Sequence, residues 1–399
     1  MAHNFFSERG SPMTIPKKPP LAALTSLRFF AALAIVVHHC NGVFWPAATL
    51  GPLDVGVSFF FVLSGFILTY VYGDPAAGTT QWRAFYRARL ARIWPLHLVC
   101  LVLTLLLVNV PEPFNAGVLL ANALLLHAWI PFDRYFFSYN YVSWSISTEL
   151  FFYLLFPVMV VHARHWLGRT VLLALLMVLV LALVSHEAGL LPWQTTHDHL
   201  SSTGLLYTNP LARFAEFASG IVAAMLFQRS RPQAPASRWR WTLIELAGIG
   251  IFLLGYRYFL LSFAPVIHEA LLSAGATRIP LAHLADEAAL LMQVSPMAAM
   301  LVSEWANHVG LTPFALLLIM VFAYQRGALS ALLSQRWLVR LGEISFALYL
   351  VHQLVLRFVQ QQGMRTDAIG FAVFIVSIML LALALHRLVE QPARRWLTR

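Results

Sequence analysis

Residues 24–40 read LTSLRFFAALAIVVHHC, an apolar run that contains one arginine and two adjacent histidines. A helix needs about 20 mainly apolar residues to cross about 30 Å of hydrocarbon, and this run with its neighbours is long enough. Comparable runs recur along the whole chain. We therefore predict ten membrane-spanning helices, at 24–44, 54–72, 93–110, 145–162, 169–185, 209–227, 242–262, 309–324, 341–359 and 368–388.

The composition of the whole chain is that of a membrane protein. Of its 399 residues, 59% are hydrophobic and 11% are charged, and the mean hydropathy is +0.71. Soluble domains carry about 25% charged residues, which give them a wettable surface. The composition therefore excludes an ordinary soluble enzyme, a disordered chain and a nucleic-acid-binding domain. It predicts an all-α, polytopic helical bundle.

The net charge of +10 supports a particular topology, because basic residues collect in cytoplasmic loops. With ten spans and both termini in the cytoplasm, 20 of the 27 Lys and Arg residues fall in inner segments. A further apolar run, 116–130, would reverse every later loop if it crossed, so we predict that it is re-entrant or lies at the outer interface. Residues 1–20 are then a cytoplasmic tail, and residues 21–399 form a single transmembrane domain.

The first predicted span carries two ionisable groups on one face. Ionisable groups at membrane depth are costly, so each is a candidate for function. Arg28 and His39 are 11 residues apart, which places them within about 20° of the same helix face and about 16 Å apart. Imidazole is well suited to take and return a proton near neutral pH. His39 could also simply hydrogen-bond a neighbouring carbonyl group, but we favour a functional role.

Three arginines precede the third predicted span, in the segment FYRARLARIWP at 85–95. They are Arg87, Arg89 and Arg92. Guanidinium groups suit bidentate contacts with phosphate, so the cluster could bind a phosphorylated ligand. Arginines at such a position also serve as ordinary cytoplasmic anchors of a span. Taken alone, the segment favours the anchor interpretation.

Two further sets of polar residues fall within predicted spans. Ser145, Glu149 and Tyr153 recur every four residues, so they share one helix face and suggest a polar cavity. Arg213 and Glu216 are three residues apart and can neutralise each other. For this second set a structural ion pair is favoured over a place in a cavity.

A third polar stripe and one possible metal motif complete the candidates. Ser345, Tyr349 and His352 share one face of a predicted span and should therefore face the bundle rather than lipid. The sequence HDH at 197–199 could bind a metal ion, but it falls in a polar outer loop and we expect no metal. Only two cysteines occur, and neither suggests a disulfide or a metal site.

Four blocks of the sequence, in order, resemble the acyltransferase-3 family, which are integral membrane proteins that O-acylate sugars, including exopolysaccharides and lipopolysaccharide O-antigens. The blocks are LTSLRFFAALAIVVHH at 24–39, DVGVSFFFVLSGFIL at 54–68, FYRARLARIWPLH at 85–97 and SWSISTELFFYLLFP at 143–157. The segments LGEISFALYLVHQLV and VEQPARRW are similar to the closing pair of helices of the family. The resemblance extends over about residues 21–396.

The resemblance implies roles for particular positions. His39 would be the catalytic histidine, either as base toward the acceptor hydroxyl or as a transient acyl carrier. Arg28, Arg89 and Arg92 would bind the acyl-CoA. Glu149 would belong to the catalytic site, in the acceptor pocket or the proton path.

Other positions are expected to support this site. Ser64 and Gly65 are interpreted as close helix packing rather than chemistry. Ser58 is a departure, because many relatives carry an acid there. The residues expected to line the acceptor site or cavity are Ser145, Tyr153, Arg213, Glu216, Ser345, Tyr349 and His352.

These observations predict a multi-pass O-acyltransferase of the inner (cytoplasmic) membrane. It would transfer an acetyl group from acetyl-CoA to a hydroxyl of a surface glycan or its lipid-linked precursor, such as an exopolysaccharide, without a tightly bound cofactor or a nucleic-acid partner. The alternative is a transporter or flippase for a glycan or small molecule, since intramembrane Arg, Glu and His also suit a proton-coupled carrier. Against the carrier, the sequence has no internal repeat and no paired Gly/Pro-broken spans.

Overall fold

A computed structural model describes residues 18–45, 53–73, 79–109, 114–190, 199–230, 237–273, 305 and 309–398. Within these ranges the chain is helical, and the only β interactions are two isolated bridges. The all-α prediction is therefore confirmed for this part of the chain. Residues 1–17 of the predicted tail lie outside the described residues, as do His197 and Asp198 of the HDH motif.

Thirteen α-helices are described. They are α1 (Ala22–His39), α2 (Gly56–Tyr72), α3 (Thr79–Leu107), α4 (Ala116–Ala123), α5 (Asp133–Phe136), α6 (Trp144–Glu187), α7 (Phe214–Arg229), α8 (Arg238–Ser273), α9 (Thr312–Ala323), α10 (Ala328–Leu333), α11 (Arg336–Gln361), α12 (Ala368–Leu385) and α13 (Gln391–Leu397). A π-helical turn, His386–Glu390, joins α12 to α13.

Seven helical segments of the described chain are long and apolar enough to cross a membrane. They are Ala22–His39, Leu53–Tyr72, Trp82–Leu107, Tyr141–Val160, Gly168–Glu187, Arg336–Gln361 and Ala368–Leu397. At two further predicted spans the helices are shorter, with 16 residues in α7 and 12 in α9. The protein is thus a multi-pass helical membrane protein, whereas the count of ten spans and the cytoplasmic position of both termini stay predictions.

Helix α6 differs from the sequence prediction in one respect. The spans predicted at 145–162 and 169–185 are both helical, but the backbone continues as a helix between them from Trp144 to Glu187. The linking residues include a single glycine, Gly168, and no proline, so nothing in them requires a turn. At 1.5 Å per residue this helix is about 66 Å long, roughly twice the thickness of the hydrocarbon.

The segment 116–130 forms no spanning helix. Its helix α4 has eight residues, and its two polar side chains, Asn122 and His127, are fully buried. His97 of α3 donates from Nε2 to the carbonyl oxygen of Asn122 at 2.9 Å, and His127 Nε2 lies 3.1 Å from the hydroxyl of Ser143. The segment is therefore fastened by polar contacts to α3 and to the start of α6.

Glycines set the distance between two closely packed helices, α2 and α7. A Cβ atom on Gly65 of α2 would stand 2.1 Å from the carbonyl oxygen of Phe217, and one on Gly220 of α7 would stand 2.0 Å from that of Val62. Only glycine lets the backbones of α2 and α7 approach this closely. The interpretation of Gly65 as a packing residue agrees with this geometry.

A buried acid of α8 holds the short helix α10 in place. Glu245 of α8 is fully buried, and it accepts hydrogen bonds from the backbone N–H groups of Gly327 and Leu329, each at 3.0 Å. The hydroxyl of Ser330 also donates to it. This carboxylate therefore satisfies the first backbone donors of α10, which is a structural role.

Candidate active site

Helices α1, α2, α3, α6 and α11 enclose a cavity with an empty volume of about 710 Å³, including the part that opens outward. The polar residues that line it are Arg28, Ser64, Arg89, Arg92, Ser145, Glu149, Tyr153 and Tyr349. The remaining wall is apolar and includes Phe60, Phe61 and Ile67 of α2. Seven of the site residues that the sequence predicts therefore meet in one place.

Three arginines give the cavity its charge. Arg28, Arg89 and Arg92 are half-buried, and within the described part of the chain none of them makes a hydrogen bond. The Nε atom of Arg89 is buried and has no partner there, although its guanidinium lies 5.8 Å from the ring centre of Tyr153. Arg28 and Arg92 interact electrostatically with each other. Unsatisfied guanidinium groups in one cavity favour the anion-binding interpretation over the anchor interpretation.

Glu149 lines the same cavity as the arginines, interacts electrostatically with Arg28 and Arg92 and is held by two hydroxyl groups. Ser64 donates to its Oε1 at 3.1 Å, and Tyr153 donates to the same oxygen. The prediction that Ser64 serves only for helix packing is therefore incomplete, because its hydroxyl contacts a cavity carboxylate. Sequence reasoning missed this contact, since Ser64 and Glu149 are 85 residues apart.

Ser145 and Tyr349 connect α6 to α11 at the cavity wall. Their hydroxyl oxygens are 2.7 Å apart, and each lies within hydrogen-bond distance of the carbonyl oxygen of Val142. Ser345, the third member of the stripe on α11, instead donates to the carbonyl oxygen of Gly342 in its own helix at 2.8 Å. Ser345 is fully buried and does not line the cavity.

His39 makes two hydrogen-bond contacts that define its protonation. Its Nδ1 atom lies 2.9 Å from the carbonyl oxygen of Ile35 and 3.2 Å from Nε2 of His352. A carbonyl oxygen can only accept, so Nδ1 of His39 carries the proton. His352 Nδ1 likewise donates to the carbonyl oxygen of Tyr349 at 2.6 Å, which leaves its Nε2 free to accept. In the neutral form, Nε2 of His39 therefore carries a lone pair.

The cavity and His39 are adjacent but distinct. Neither His39 nor His352 belongs to the cavity lining, whereas Tyr349 does, with its ring centre 5.8 Å from that of His352. The helix-face argument placed Arg28 and His39 on one face, and only Arg28 reaches the cavity. The two residues are three turns apart, and His352 of α11 packs against the His39 end of α1.

Arg213 and Glu216 form a closed ion pair away from the cavity. Both side chains are buried, and Arg213 donates to Glu216 from Nε at 2.6 Å and from Nη2 at 2.9 Å. A further bond goes from Nη2 to the hydroxyl of Ser58 at 3.0 Å. Neither residue is among those that line the cavity. The geometry fits the structural ion pair that the sequence favoured, and a place for these two residues in an acceptor site stays a prediction.

Comparison with known proteins now decides the family. The profile of an acyltransferase domain, Acyl_transf_3, matches residues 21–387. The chain belongs to the acyltransferase-3 family.

Two relatives of this acyltransferase-3 protein show the same class of activity. Acyltransferase MdmB of Streptomyces mycarofaciens is 29% identical over 421 residues, which cover 96% of this chain and 94% of MdmB. O-acetyltransferase OatA of Staphylococcus aureus is 24% identical over 395 residues, which cover 94% of this chain and 57% of OatA. The chain thus spans little more than half the length of OatA. No solved structure shows a significant match.

The family and its relatives establish the class of reaction. The protein is a membrane O-acyltransferase, and the transporter interpretation is not favoured. No group of three His, Cys, Asp or Glu side chains able to hold a metal ion occurs among the residues described.

The acyltransferase also contains functional candidates that sequence reasoning missed, in the closing VEQPARRW segment. Glu390 is buried, accepts a hydrogen bond from Nδ1 of His386 at 2.8 Å and interacts electrostatically with Arg28 and Arg92. Arg394 Nη1 lies 3.6 Å from Glu390. The resemblance to the family included this segment, but its residue types alone did not show that it folds back against α3.

Proposed function

We propose that this O-acyltransferase transfers an acetyl group from acetyl-CoA to a hydroxyl group of a surface glycan or its lipid-linked precursor, such as an exopolysaccharide. The observation that carries the proposal is the cavity between α1, α2, α3, α6 and α11. It has cationic side chains without hydrogen-bond partners among the described residues on one side, and it adjoins a histidine with an available lone pair.

The charge of the cavity supports acyl-CoA as the donor. Acyl-CoA carries phosphate groups at one end and a thioester at the end of a long, thin arm. Arg28, Arg89 and Arg92 suit the phosphates, because guanidinium binds phosphate with paired, charge-assisted hydrogen bonds. The apolar wall formed by Phe60 and Phe61 suits the arm. The name of the relative OatA, an O-acetyltransferase, supports acetyl as the transferred group.

The tautomer of His39 supports a role as base. Its Nε2 atom takes the proton of the acceptor hydroxyl while the hydroxyl oxygen forms a bond to the acyl carbon. The carbon–sulfur bond then breaks, the electron pair leaves with sulfur, and the thiolate takes up a proton. In the alternative, Nε2 itself attacks the thioester carbon and the carbon–sulfur bond breaks, with the electron pair leaving on sulfur. The acceptor hydroxyl then attacks the acyl carbon, the bond to Nε2 breaks, and the hydroxyl proton ends on the thiolate. General base catalysis contributes about 10²- to 10⁴-fold, so positioning must supply much of the remaining acceleration.

His352 is the positioning residue in this mechanism. Because its Nε2 accepts from Nδ1–H of His39, it favours the tautomer that has the lone pair on Nε2. During transfer His39 gains a positive charge. His352 stabilises this charge only weakly, because the acceptor that it offers is a neutral imidazole. Glu149, fixed by Ser64 and Tyr153, lines the cavity that adjoins His39. It is suited to hold the acceptor or to receive its proton.

The charge pattern supports the proposed membrane and the proposed side of donor binding. Arg89 and Arg92 fall in a segment that charge bias predicts to be cytoplasmic. Acetyl-CoA would therefore enter from the cytoplasm, with the protein in the inner membrane. The thioester would point away from this face, toward His39.

A thiol-release assay tests the proposal. The purified protein in nanodiscs is incubated with acetyl-CoA, with and without candidate glycans, and the mass added to the product is measured. We expect glycan-dependent release of CoA and a gain of one acetyl group. A different added mass would replace acetyl by another acyl group, and no release from folded protein would contradict acyl-CoA as the donor.

Variants of the three clustered histidines assign the base. We expect His39→Ala to lower kcat by about 10²- to 10⁴-fold. His38→Ala is the matched control, because it removes the neighbouring imidazole and should keep most of the activity. His352→Ala should lower kcat by about fivefold and leave KM unchanged, since a positioning contact of this kind contributes about 1 kcal/mol. Near-normal transfer by a folded His39→Ala protein would exclude His39 as base and as acyl carrier.

A further inference from the structure

A second, polar cavity lies between α3 and the C-terminal helix α13. Its lining includes Arg89 of α3 and Gln391, Arg394 and Arg395 of α13. Arg89 also lines the main cavity, so the two cavities meet at this residue. The second cavity is therefore a continuation of the first toward the end of the molecule that charge bias predicts to be cytoplasmic.

The second cavity concentrates positive charge. Arg394 interacts electrostatically with Arg89 and Arg92 as well as with Glu390. The carboxylate of Glu390, 3.6 Å from Nη1 of Arg394, is shared with His386. Arg395 is exposed and makes no hydrogen bond with the described residues. Like charges gathered in this way repel one another, and a bound anion would relieve that repulsion.

The position of α13 is fixed by contacts with α3. Arg87 donates from Nε to the carbonyl oxygen of Leu397 at 2.9 Å. Arg89 keeps a buried Nε without a partner among the residues described. An arginine on α3 thus holds the end of α13 in place, while the next arginine on the same helix has an unused donor at the junction of the two cavities.

We propose that this second cavity binds the 3′-phosphate at the nucleotide end of the acyl-CoA, with Arg394 and Arg395 as its ligands, while Arg89 at the junction and Arg28 and Arg92 in the first cavity contact the diphosphate. The inference rests on the proposed donor. The nucleotide and the thioester lie at opposite ends of the pantetheine arm, and the two cavities joined at Arg89 offer a place for each end. Arg395 then acts in binding and takes no part in the transfer step.

Donor analogues test the assignment. Initial rates are measured with acetyl-CoA and with acetyl-pantetheine, which lacks the nucleotide and its phosphates. We expect Arg395→Gln to raise KM for acetyl-CoA about tenfold at unchanged kcat, because one charge-assisted contact is lost. Rates with acetyl-pantetheine should not change. Arg336→Gln is the matched control, since Arg336 is exposed at the start of α11 and lines neither cavity.

Direct binding separates this inference from the proposed function. The protein is titrated with CoA, with 3′-dephospho-CoA and with pantetheine, and the midpoint of thermal unfolding is followed. We expect CoA to stabilise the wild-type protein more than 3′-dephospho-CoA does, and Arg394→Gln/Arg395→Gln to remove most of that difference. An unchanged difference, in protein that turns over acetyl-CoA, would overturn the assignment of the cavity and leave the donor intact. Absence of any stabilisation by CoA would overturn both.

Discussion

Arg213 and the three cavity arginines of this membrane protein differ in how their hydrogen-bond donors are satisfied. Arg213 is fully buried and donates four hydrogen bonds, two to Glu216, one to Ser58 and one to the carbonyl oxygen of Tyr207. The rings of Phe61 and Tyr207 lie 5.3 Å from its guanidinium. Arg28, Arg89 and Arg92 are half-buried around a cavity and make no hydrogen bond to described residues.

The difference lies in how fully the donors are satisfied rather than in membrane depth. An arginine whose donors are all paired inside the protein has no capacity left for a ligand, so it contributes to the fold. The carboxylates of Glu149 and Glu390 attract Arg28 and Arg92, but guanidinium donors without hydrogen-bond partners at a cavity still have a desolvation cost that a ligand or water can offset. An ionisable residue inside a membrane is therefore a stronger candidate for function when it also has hydrogen-bond donors that no protein group satisfies.

Removing Arg213 should have the largest effect on stability. Arg213→Met leaves the Glu216 carboxylate buried without its partner, which costs about 3–5 kcal/mol. We expect little folded protein, measured by thermal unfolding and size-exclusion chromatography. The double variant Arg213→Met/Glu216→Leu should recover much of the loss because it removes both charges. If the single variant instead folds normally but loses transfer activity, Arg213 belongs to the active site and is not a structural residue.

Removing a cavity arginine should affect binding and not folding. We expect Arg92→Gln to raise KM for acetyl-CoA about 10- to 100-fold, because a hydrogen bond to a charged group contributes about 1.5–3 kcal/mol. The midpoint of thermal unfolding should change little, since Arg92 is repelled by Arg28 but attracted by Glu149 and Glu390. Arg92→Lys keeps the charge but not the paired donors, and it should give an intermediate KM. A fall in stability at unchanged KM would reassign Arg92 to the scaffold.

An exposed pair provides the smallest expected effect. Arg365 and Asp367 form an ion pair on the surface, and Asp367 also accepts from the backbone N–H of Gly370 at the start of α12. The Arg365 guanidinium and this backbone donor lower the pKa of the Asp367 carboxyl below its usual 3.8. A lowered pKa gives stability that is present above pH 3.8 and is lost as the pH falls through the folded-state value.

Two substitutions at Asp367 separate the charge from the helix cap. Asn caps a helix about as well as Asp does, so Asp367→Asn should lower the midpoint of thermal unfolding at pH 7 only slightly, and Asp367→Ala somewhat more. The difference between Asp367→Asn and the wild-type protein should shrink toward pH 3. A large loss with Asp367→Asn would mean that surface ion pairs matter here as much as buried ones.

The sequence predicted much of the cavity because its motifs lie on helix faces. Arg89 and Arg92 are one turn apart, and Glu149 and Tyr153 are one turn apart, so each pair points in one direction whatever the fold around it. The Tyr153–Glu149 hydrogen bond is of this local kind. Local spacing also found Arg213 and Glu216, and there it favoured the structural interpretation that the geometry supports.

The contacts that sequence reasoning missed join distant segments. His352 is 313 residues from His39, and Ser64 is 85 residues from Glu149. Helical periodicity places Tyr349 and His352 on one face of α11 but does not say which helix that face contacts. The same limit explains why Arg28 and His39, on one face of α1, do not share a cavity. The closing segment with Arg394 and Arg395 is a further case.

The span boundaries show a different limit. Hydropathy located the apolar runs at 145–162 and 169–185. It predicted two separate helices there, whereas α6 is continuous. The predicted orientation of the chain rests on charge bias alone. That argument depends on the number of crossings, so the continuous helix makes the topology a question for experiment rather than for further reading of the sequence.

The paired glycines of α2 and α7 have a consequence for the range of acyl groups that the enzyme can accept. Because Gly65 and Gly220 hold the two backbones in contact, α2 has no room to retreat when a longer acyl chain presses on Phe60 or Phe61. That wall of the cavity is rigid. Acceptance of bulkier donors would therefore require shorter side chains on α2 or a shift of α1, α3 or α11. A substitution at either glycine would force α2 and α7 apart and disrupt their packing rather than enlarge the cavity.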